Sequence, residues 1–430
     1  MSLPSYFSRT FYSLENEKFR LLWLGTLFSF IGMQMQVIAR GFLAYELTGS
    51  NTALGGVMLA FGLPQFVLGP WGGVFADRLP KRNLIIGTQA IIALNSLWIA
   101  VLISTGDIEY WHLVAAGVVQ GASFAFQGPA RQAFTSDLVG RDAIGNAVVL
   151  QQLSMNSTRV VGPSLAGVFI AVSFIGVEGV YFLTSLGFVA AMVTNFRLPA
   201  GAPHPRERQV SPLSDLLDGL RYIRHRPSIS LLILTSFLVV MVGFPYQSFL
   251  PSIAKDVYSV GPLGLGMLST MSAIGAVIAT VFVATYAAHK RAWYAQPLLA
   301  IAFGGSLVLL AATANFVAGL IAIVLVGALA SAFQSLNNSL TMSMSEPEYH
   351  GRVQSISMLS WSLFGLFALP VGIVADHIGI RETLALQGGL VIVTVTALQL
   401  MRRTSAAEDR DKVVLAMREH SHTPAGLPGR

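Results

Sequence analysis

Residues 52–105 read TALGGVMLAFGLPQFVLGPWGGVFADRLPKRNLIIGTQAIIALNSLWIAVLIST, with two uncharged stretches, 52–72 and 83–105, on either side of the charged loop ADRLPKR. A helix needs roughly 20 apolar residues to cross the hydrocarbon core of a bilayer, and each stretch has that length. Lipid offers no hydrogen-bond partner to the backbone, so a stretch of this length crosses it as a helix. This part of the chain therefore predicts two transmembrane helices joined by a charged connection.

The same pattern of apolar stretches continues along all 430 residues. Hydrophobic residues make up 53% of the chain and charged residues 11%, against about 25% charged residues in soluble domains. This composition excludes an ordinary soluble enzyme and a disordered chain. The absence of cysteine excludes disulfides, thiolate nucleophiles and cysteine-ligated metal sites. We expect an all-α membrane protein with twelve transmembrane helices, near 21–44, 52–72, 83–105, 112–133, 146–171, 177–196, 229–250, 261–285, 294–313, 316–342, 353–375 and 383–401.

Basic residues indicate how these helices are oriented. Most of the 27 Lys and Arg residues lie in the N-terminal segment, in alternate loops, in the middle linker and in the tail. One such loop contains Arg78, Lys81 and Arg82, and we group Arg131 and Arg141 with the next. The positive-inside rule then places both termini and the linker in the cytoplasm. This distribution of basic residues explains the net charge of +6, so the charge does not indicate a nucleic-acid partner.

A proline-rich, charged linker divides the chain into two halves. We predict a cytoplasmic N-terminus over 1–20, a six-helix bundle over 21–196, the linker over 197–228, a second six-helix bundle over 229–402 and a cytoplasmic tail over 403–430. Within the linker, Leu216–Arg226 is predicted to form a short amphipathic helix on the membrane surface. Weak similarity between Arg141–Gly167 and Tyr349–Val374 supports the division into parallel halves.

Several motifs resemble those of one transporter family. The loop Gly73-Val74-Phe75-Ala76-Asp77-Arg78-Leu79-Pro80-Lys81-Arg82 resembles the G-x-x-x-D-R-x-G-R-K signature of the major facilitator superfamily, and Arg159–Gly167 resembles the Gly-Pro element of its efflux members. Gly128–Arg131, Asp137–Val139 and the first span resemble the branch that contains enterobactin and macrolide exporters. The resemblance implies two pseudo-symmetric six-helix bundles, alternating access and proton antiport.

The signature loop is predicted to act as a conformational latch. We expect Asp77 to face the N-terminus of the eleventh helix, near Arg352, which the family fold brings to this loop, because a carboxylate stabilises unpaired N–H groups there. The remaining latch residues are Gly73, Arg78, Lys81 and Arg82. The alternative is that the charged residues only anchor the loop at the cytoplasmic surface.

Polar side chains inside the predicted spans are candidates for a substrate cavity or gate. Gln152, Asn156 and Arg159 lie on one face of the fifth helix, where Arg159 would serve an anionic or polar substrate, or else bind backbone carbonyls. Gly162, Pro163 and Gly167 would form a hinge or permit close packing. The resemblance implies a cavity lined by helices 1, 4, 7 and 10, which carry Gln36, Arg40, Gln120, Gln127, Tyr246, Gln247, Gln334, Asn337 and Asn338. Each could instead form an interhelical hydrogen bond, and Arg40 could extend to the outer surface.

These patterns favour a secondary active exporter of a small molecule, either a siderophore or a hydrophobic drug-like compound. An importer on the same fold is the alternative, and a non-transporting scaffold is a weaker one. A membrane enzyme is disfavoured because His-Glu-x-x-His and Gly-x-Ser-x-Gly are both absent. The sequence contains no Gly-x-x-x-x-Gly-Lys-Ser/Thr phosphate-binding loop, and this excludes direct use of ATP by this chain. We expect a monomer in the bilayer that uses protons and carries no metal or cofactor, although no carboxylate lies in the middle of a predicted span.

Overall fold

The computed structural model describes residues 12–140, 143–201, 212–286 and 292–401. Every long element in this part of the chain is a helix and no strand is found there, which confirms the all-α prediction. The helices are α1 (Glu17–Thr48), α2 (Asn51–Arg78), α3 (Lys81–Thr105), α4 (Tyr110–Val139), α5 (Ile144–Ala171), α6 (Gly176–Phe196), α7 (Pro212–Arg224), α8 (Pro227–Val242), α9 (Pro262–Tyr286), α10 (Ala292–Ala312), α11 (Phe316–Met344), α12 (His350–Ile378) and α13 (Ile380–Met401). The predicted tail over 403–430 lies outside the described residues.

Nine helical stretches among these residues are long and apolar enough to cross a membrane. One of them is Pro227–Val257, which comprises α8 and the irregular turns that follow it. The nine do not include α4 and α5, which contain more polar residues, or the whole of α12, of which Leu363–Ile378 forms a shorter apolar helix. The count of twelve spans therefore stays a prediction.

The predicted seventh span is less regular than the pattern indicates. After α8 the chain forms a 3₁₀ turn over Phe244–Phe249, a short helix over Leu250–Ser252 and a wider π turn over Ile253–Val257. Pro245 and Pro251 lie in this stretch, and proline removes a backbone donor and disturbs the helix before it. The hydrophobic pattern reports length and burial, so it does not detect this change in helical pitch.

Local capping defines the junction between α1 and α2. Gly49 adopts a left-handed conformation with φ of 62°, and its N–H donates to the Tyr45 carbonyl to end α1. Ser50 follows in an extended conformation, and its side chain accepts from the Ala53 N–H at the start of α2. Glycine tolerates the positive φ and serine is a favoured N-cap, so these two residues explain why one helix ends and the next begins here.

The contacts divide the chain into two units, of which unit 1 comprises Met1–Gln209, Gln247–Ala273 and Gly365–Ile380. In this unit, a Cβ atom on Gly72 would lie 2.0 Å from the Ala125 carbonyl oxygen, and one on Gly121 would lie 2.0 Å from the Phe61 carbonyl oxygen. Glycine thus lets the backbones of α2 and α4 touch, as is typical of helices packed in a membrane.

Unit 2 comprises Val210–Tyr246, Ile274–Phe364 and Arg381–Arg430. One of its apolar clusters brings Ile223 of α7 together with Ile229 and Ile233 of α8 and with Val353 and Ile356 of α12. The amphipathic helix predicted in the linker therefore forms, and its apolar face packs against longer helices. The division into equal halves, 21–196 and 229–402, follows the sequence pattern and stays a prediction.

Candidate functional site

The charged residues of the signature loop contact neighbouring elements of unit 1. Lys81 is buried, and its Nζ lies 2.8 Å from Oδ2 of Asp137 near the end of α4. Arg82 Nη1 donates to the Leu198 carbonyl at 2.9 Å, just after α6. Arg78 is exposed. These contacts join the loop to α4 and to the end of α6.

Gly73 is half-buried in α2, and a Cβ atom there would meet open space. The side chain of Asp77, which has the central role in the predicted latch, lies outside the described atoms. The latch itself therefore stays a prediction.

A connected set of buried polar groups joins α1, α3 and α4. Gln36 Nε2 donates to the Ser96 hydroxyl at 3.3 Å, and Gln120 Nε2 donates to Gln36 Oε1 at 2.9 Å. Arg40 Nη2 donates to Gln120 Oε1. All four residues are buried. Three residues predicted to line a cavity thus contact one another, and Arg40 points to a glutamine rather than to the outer surface.

The half of α4 that is predicted to lie toward the cytoplasm, called the inner half below, carries polar groups of a different kind. Arg131 is 7% exposed, and its guanidinium carbon lies 4.7 Å from the centre of the Phe30 ring on α1. Gln127 is 0% exposed, and within the described residues neither of its amide atoms has a hydrogen-bond partner. Grouping Arg131 with the loop cations was wrong, because α4 continues to Val139 and keeps Arg131 inside the helix. The signal available in the sequence was the position of Arg131 within the predicted span 112–133.

The predicted polar stripe of α5 is present on one helical face. Gln152, Asn156 and Arg159 are all exposed. In the part of the chain that the structure describes, no hydrogen bond or ion pair is found for the Arg159 side chain. The neighbouring Gln151 donates to the Thr135 hydroxyl and so connects α5 with α4. The stripe is therefore available to solvent or to a ligand.

The predicted hinge residues lie at two close helix contacts. A Cβ atom on Gly162 would lie 2.3 Å from the Gln34 Cβ of α1, and one on Gly167 would lie 2.7 Å from the Gly266 Cα of α9. Pro163 is buried within α5, which runs continuously from Ile144 to Ala171. Both glycines therefore permit close packing, and their role as a hinge is not tested.

The polar candidates near the irregular end of α8 differ in exposure. Tyr246 is fully buried, and its ring centre lies 6.2 Å from that of Phe303 in an edge-on arrangement. The next residue, Gln247, is exposed. Neighbouring positions in the sequence thus fall in different environments, because the 3₁₀ turn directs consecutive side chains apart.

The polar candidates of α11 are also mixed. Asn337 is buried, and its Oδ1 accepts from Gln296 Nε2 of α10 at 2.9 Å. Gln334 is half-buried with an unpaired Oε1, and Asn338 is exposed. Asn337 therefore has the environment of an interhelical hydrogen bond, whereas its neighbours keep polar atoms available.

In unit 1, one carboxylate joins α2 and α12 at the ends that are predicted to face the outside of the cell. Asp376 accepts from the Ser50 hydroxyl at 2.6 Å, from the Asn51 N–H at 2.6 Å and from the Thr52 N–H at 2.9 Å. Because the first N–H groups of a helix have no intrahelical partner and carry positive partial charge, a carboxylate stabilises them. Asp376 thus caps α2 from a position 326 residues away in sequence.

Hydrogen bonding governs the ionisation of this carboxyl group, which follows the predicted segment 353–375. Partial burial alone would raise its pKa, but hydrogen bonds from Ser50, Thr52 and Asn51 outweigh that effect and lower the pKa of Asp376 to about 2. The group is therefore ionised in neutral solution. The sequence alone places Asp376 just after the predicted span 353–375, and no local pattern reveals so distant a partner.

Two further contacts lie nearby at the predicted outer end of α1. Lys255 Nζ lies 3.2 Å from Glu46 Oε2, and the Tyr45 hydroxyl donates to Asp256 Oδ2. A cavity of about 470 Å³ adjoins them and is lined partly by Tyr45, Glu46 and Lys255. Residues from the beginning and the second half of the chain therefore meet here within one unit.

A family described as transmembrane secretion effectors matches residues 8–424. Macrolide efflux protein A of Streptococcus pyogenes is 23% identical over 384 residues, which cover 87% of this chain and 93% of that protein. The staphyloferrin A transporter of Staphylococcus aureus is 26% identical over 412 residues, 94% of this chain and 97% of that protein. The enterobactin exporter EntS of Escherichia coli is 24% identical over 300 residues, 70% of this chain and 68% of that protein.

Solved structures share the fold. The nucleoside transporter NupG matches with a TM-score of 0.68 at 14% identity, over 90% of this chain and 99% of that one. A bacterial homologue of the human lysosomal transporter Spinster matches with a TM-score of 0.68 at 15% identity, over 95% of this chain and 98% of that one. The sequence match, the helical architecture and these folds agree: the chain belongs to the transmembrane secretion effector family and is a multi-pass membrane transporter of the major facilitator superfamily.

Proposed function

We propose that this transporter is a secondary active exporter of a small molecule and that it works by alternating access. The observation that carries the proposal is the similarity, over most of the chain, to proteins named for macrolide efflux and enterobactin export. The proposed substrate is a siderophore or a hydrophobic drug-like compound. The alternative is import of a small solute on the same fold.

The contacts at the predicted outer ends are of the kind that alternating access requires. Opening to the outside would separate Asp376 from the start of α2 and Lys255 from Glu46. Exposed ion pairs contribute about 0–1 kcal/mol each, and a helix cap contributes about 1 kcal/mol. Contacts of this strength can stabilise the state that is closed to the outside and still break when the transporter opens. We therefore assign them to an outer closure that breaks in each transport cycle.

The remaining parts of the mechanism are also proposals. The latch comprises Gly73, Asp77, Arg78, Lys81 and Arg82. The cavity or gate comprises Gln36, Arg40, Gln120, Gln127, Gln152, Asn156, Arg159, Tyr246, Gln247, Gln334, Asn337 and Asn338, with Gly162, Pro163 and Gly167 as the hinge. The protein would act as a monomeric proton antiporter in the bacterial cytoplasmic membrane, with both termini in the cytoplasm.

The absence of cysteine from the chain permits a direct test of alternating access. Ser50→Cys and Asp376→Cys, combined in one protein, introduce the only two thiols at the outer contact. In vesicles of defined orientation, export of a radiolabelled macrolide, staphyloferrin A or enterobactin is measured before and after oxidation. A disulfide that holds the outer ends together should reduce export about tenfold or more, because one of the two alternating states becomes inaccessible.

Reductant should restore export, and each single-cysteine protein should be insensitive to oxidation. Undiminished export by the cross-linked protein would refute separation at this contact. A proton uncoupler should stop export against a gradient if protons drive it. Uptake into cells, in place of release, would favour the importer.

A further inference from the structure

We propose that Arg131 and Gln127, beneath Phe30, form a binding site for an anionic group of the transported molecule, foremost a carboxylate. This inference rests on the proposed function, since it names the substrate class that the inner half of α4 would take. It is carried by two buried polar side chains for which no hydrogen-bond or ion-pair partner is found among the described residues.

Arg131 is a buried cation for which no counter-charge is found among the described residues. Its guanidinium lies against the Phe30 ring, and no hydrogen bond or ion pair of its side chain is found where the chain is described. A ring face attracts a cation but does not accept its N–H groups as a carboxylate does. Stacking covers the flat face of the guanidinium and leaves its edge, where the N–H donors lie, available for a bidentate ligand.

Gln127 precedes Arg131 by four residues, so both side chains lie on one face of α4. Its amide nitrogen and oxygen are both buried and both unpaired. An unsatisfied buried amide costs free energy, so two such residues one turn apart are unfavourable unless something else binds there. An amide N–H and a guanidinium together supply the donors that a carboxylate accepts.

No acidic side chain of the described residues is placed to neutralise Arg131. The nearest acid along α4 is Asp137, which is paired with Lys81 at 2.8 Å. The other acids lie at the ends of the long helices, in α7 or in the connecting segments. Buried charges are normally paired, and an anionic ligand would provide the missing partner. Arg159 on α5 is a further cation in unit 1 for which no ion pair is found in the described part of the chain.

Equilibrium dialysis of the purified full-length protein tests the site without requiring transport. The probes are naphthoate and its neutral isostere naphthamide, which have the same aromatic body and differ in the charged group. We expect saturable binding of naphthoate that is about tenfold or more tighter than that of naphthamide, as hydrogen bonds to a charged group predict. Arg131→Gln should remove this preference, while Arg20→Gln, which removes an exposed cation from α1, should keep it.

Gln127→Glu gives a sharper result because it supplies Arg131 with a carboxylate from its own helix. This variant should lose naphthoate binding about tenfold or more, and its thermal midpoint without probe should rise. Arg131→Gln should keep or raise the midpoint, since it removes an uncompensated charge. A lowered midpoint for Arg131→Gln would identify Arg131 as a structural cation and overturn the proposal.

Equal affinity of the wild-type protein for both probes would also overturn the site, and so would unchanged naphthoate binding by Arg131→Gln. These outcomes are separate from a failure of the proposed function. Arg131-dependent binding by a protein that exports no solute would refute export and leave the anion site. Active export together with equal binding of both probes would refute the anion site alone.

Discussion

The outer and inner halves of α4 bury the same kinds of side chain in different ways. In the outer half, Gln120 donates to Gln36 and accepts from Arg40. In the inner half, Gln127 and Arg131 are equally buried, but no hydrogen bond is found for either side chain in the described chain. Both halves pack against helices of unit 1, so burial alone does not distinguish them.

The difference concerns hydrogen-bond partners. A polar group in a membrane helix is stabilised when the protein itself provides its hydrogen-bond partners, and the amide groups of Gln36 and Gln120 have such partners in each other, in Ser96 and in Arg40. Such a set holds helices together. No hydrogen-bond partner is found for Gln127 or Arg131 among the described residues, and this is the basis for the anion site proposed there. Accounting for partners therefore separates structural polar residues from candidates for binding.

The largest effect is expected in the outer half of α4, where Gln120 forms its hydrogen bonds. Gln120→Leu should lower the free energy of unfolding by about 3 kcal/mol, because it removes hydrogen bonds from buried Gln36 and from the buried charge of Arg40. Gln127→Leu, the same change two turns away, should be neutral or stabilising since no protein hydrogen bond is lost. Thermal and denaturant unfolding in one detergent measure both. Equal destabilisation of the two variants would break the comparison.

An intermediate effect is expected for the paired cation at the inner end of unit 1. Asp137→Asn removes the carboxylate that lies 2.8 Å from buried Lys81 and should cost about 2 kcal/mol, less than a fully buried pair because Asp137 is partly exposed. Asp218→Asn, at an exposed position of α7, is the matched control and should change the unfolding midpoint little. If the Asp137→Asn variant has the unfolding midpoint of the wild type, then pairing with a carboxylate does not change the stability of a buried cation in this bundle.

The smallest effect is expected at the outer cap. Asp376→Asn should cost about 1 kcal/mol, the usual contribution of a charged group at a helix N-terminus. The lowered pKa makes this contribution complete above the unfolded-state pKa of about 4, and it is lost as pH falls through the folded pKa of about 2. The difference between wild type and variant should therefore be constant from neutral pH to about 4. A difference that disappears near pH 6 would contradict the cap.

The sequence predicts most of the helices because length and hydropathy are local properties. The predicted spans agree with α1–α6 and α8–α13 to within a few residues at most ends. The loop grouping of Arg131 failed because a positive-inside pattern does not show where a helix ends. The hydrogen-bond partners of Gln120 and Asp376 also could not be predicted from the sequence, since each depends on contacts between residues far apart in the chain.

The cap on α2 has a consequence for how this closure can vary between related chains. Asp376 receives two of its three hydrogen bonds from the main chain at Asn51 and Thr52, and every amino acid except proline offers the same donor there. Mutational drift in the first turn of α2 can therefore proceed without disconnecting the two helices. The Asp376 carboxylate is the part of this contact that must be kept. A basic side chain in the same place could not replace it, because it offers donors and the main-chain N–H groups need an acceptor.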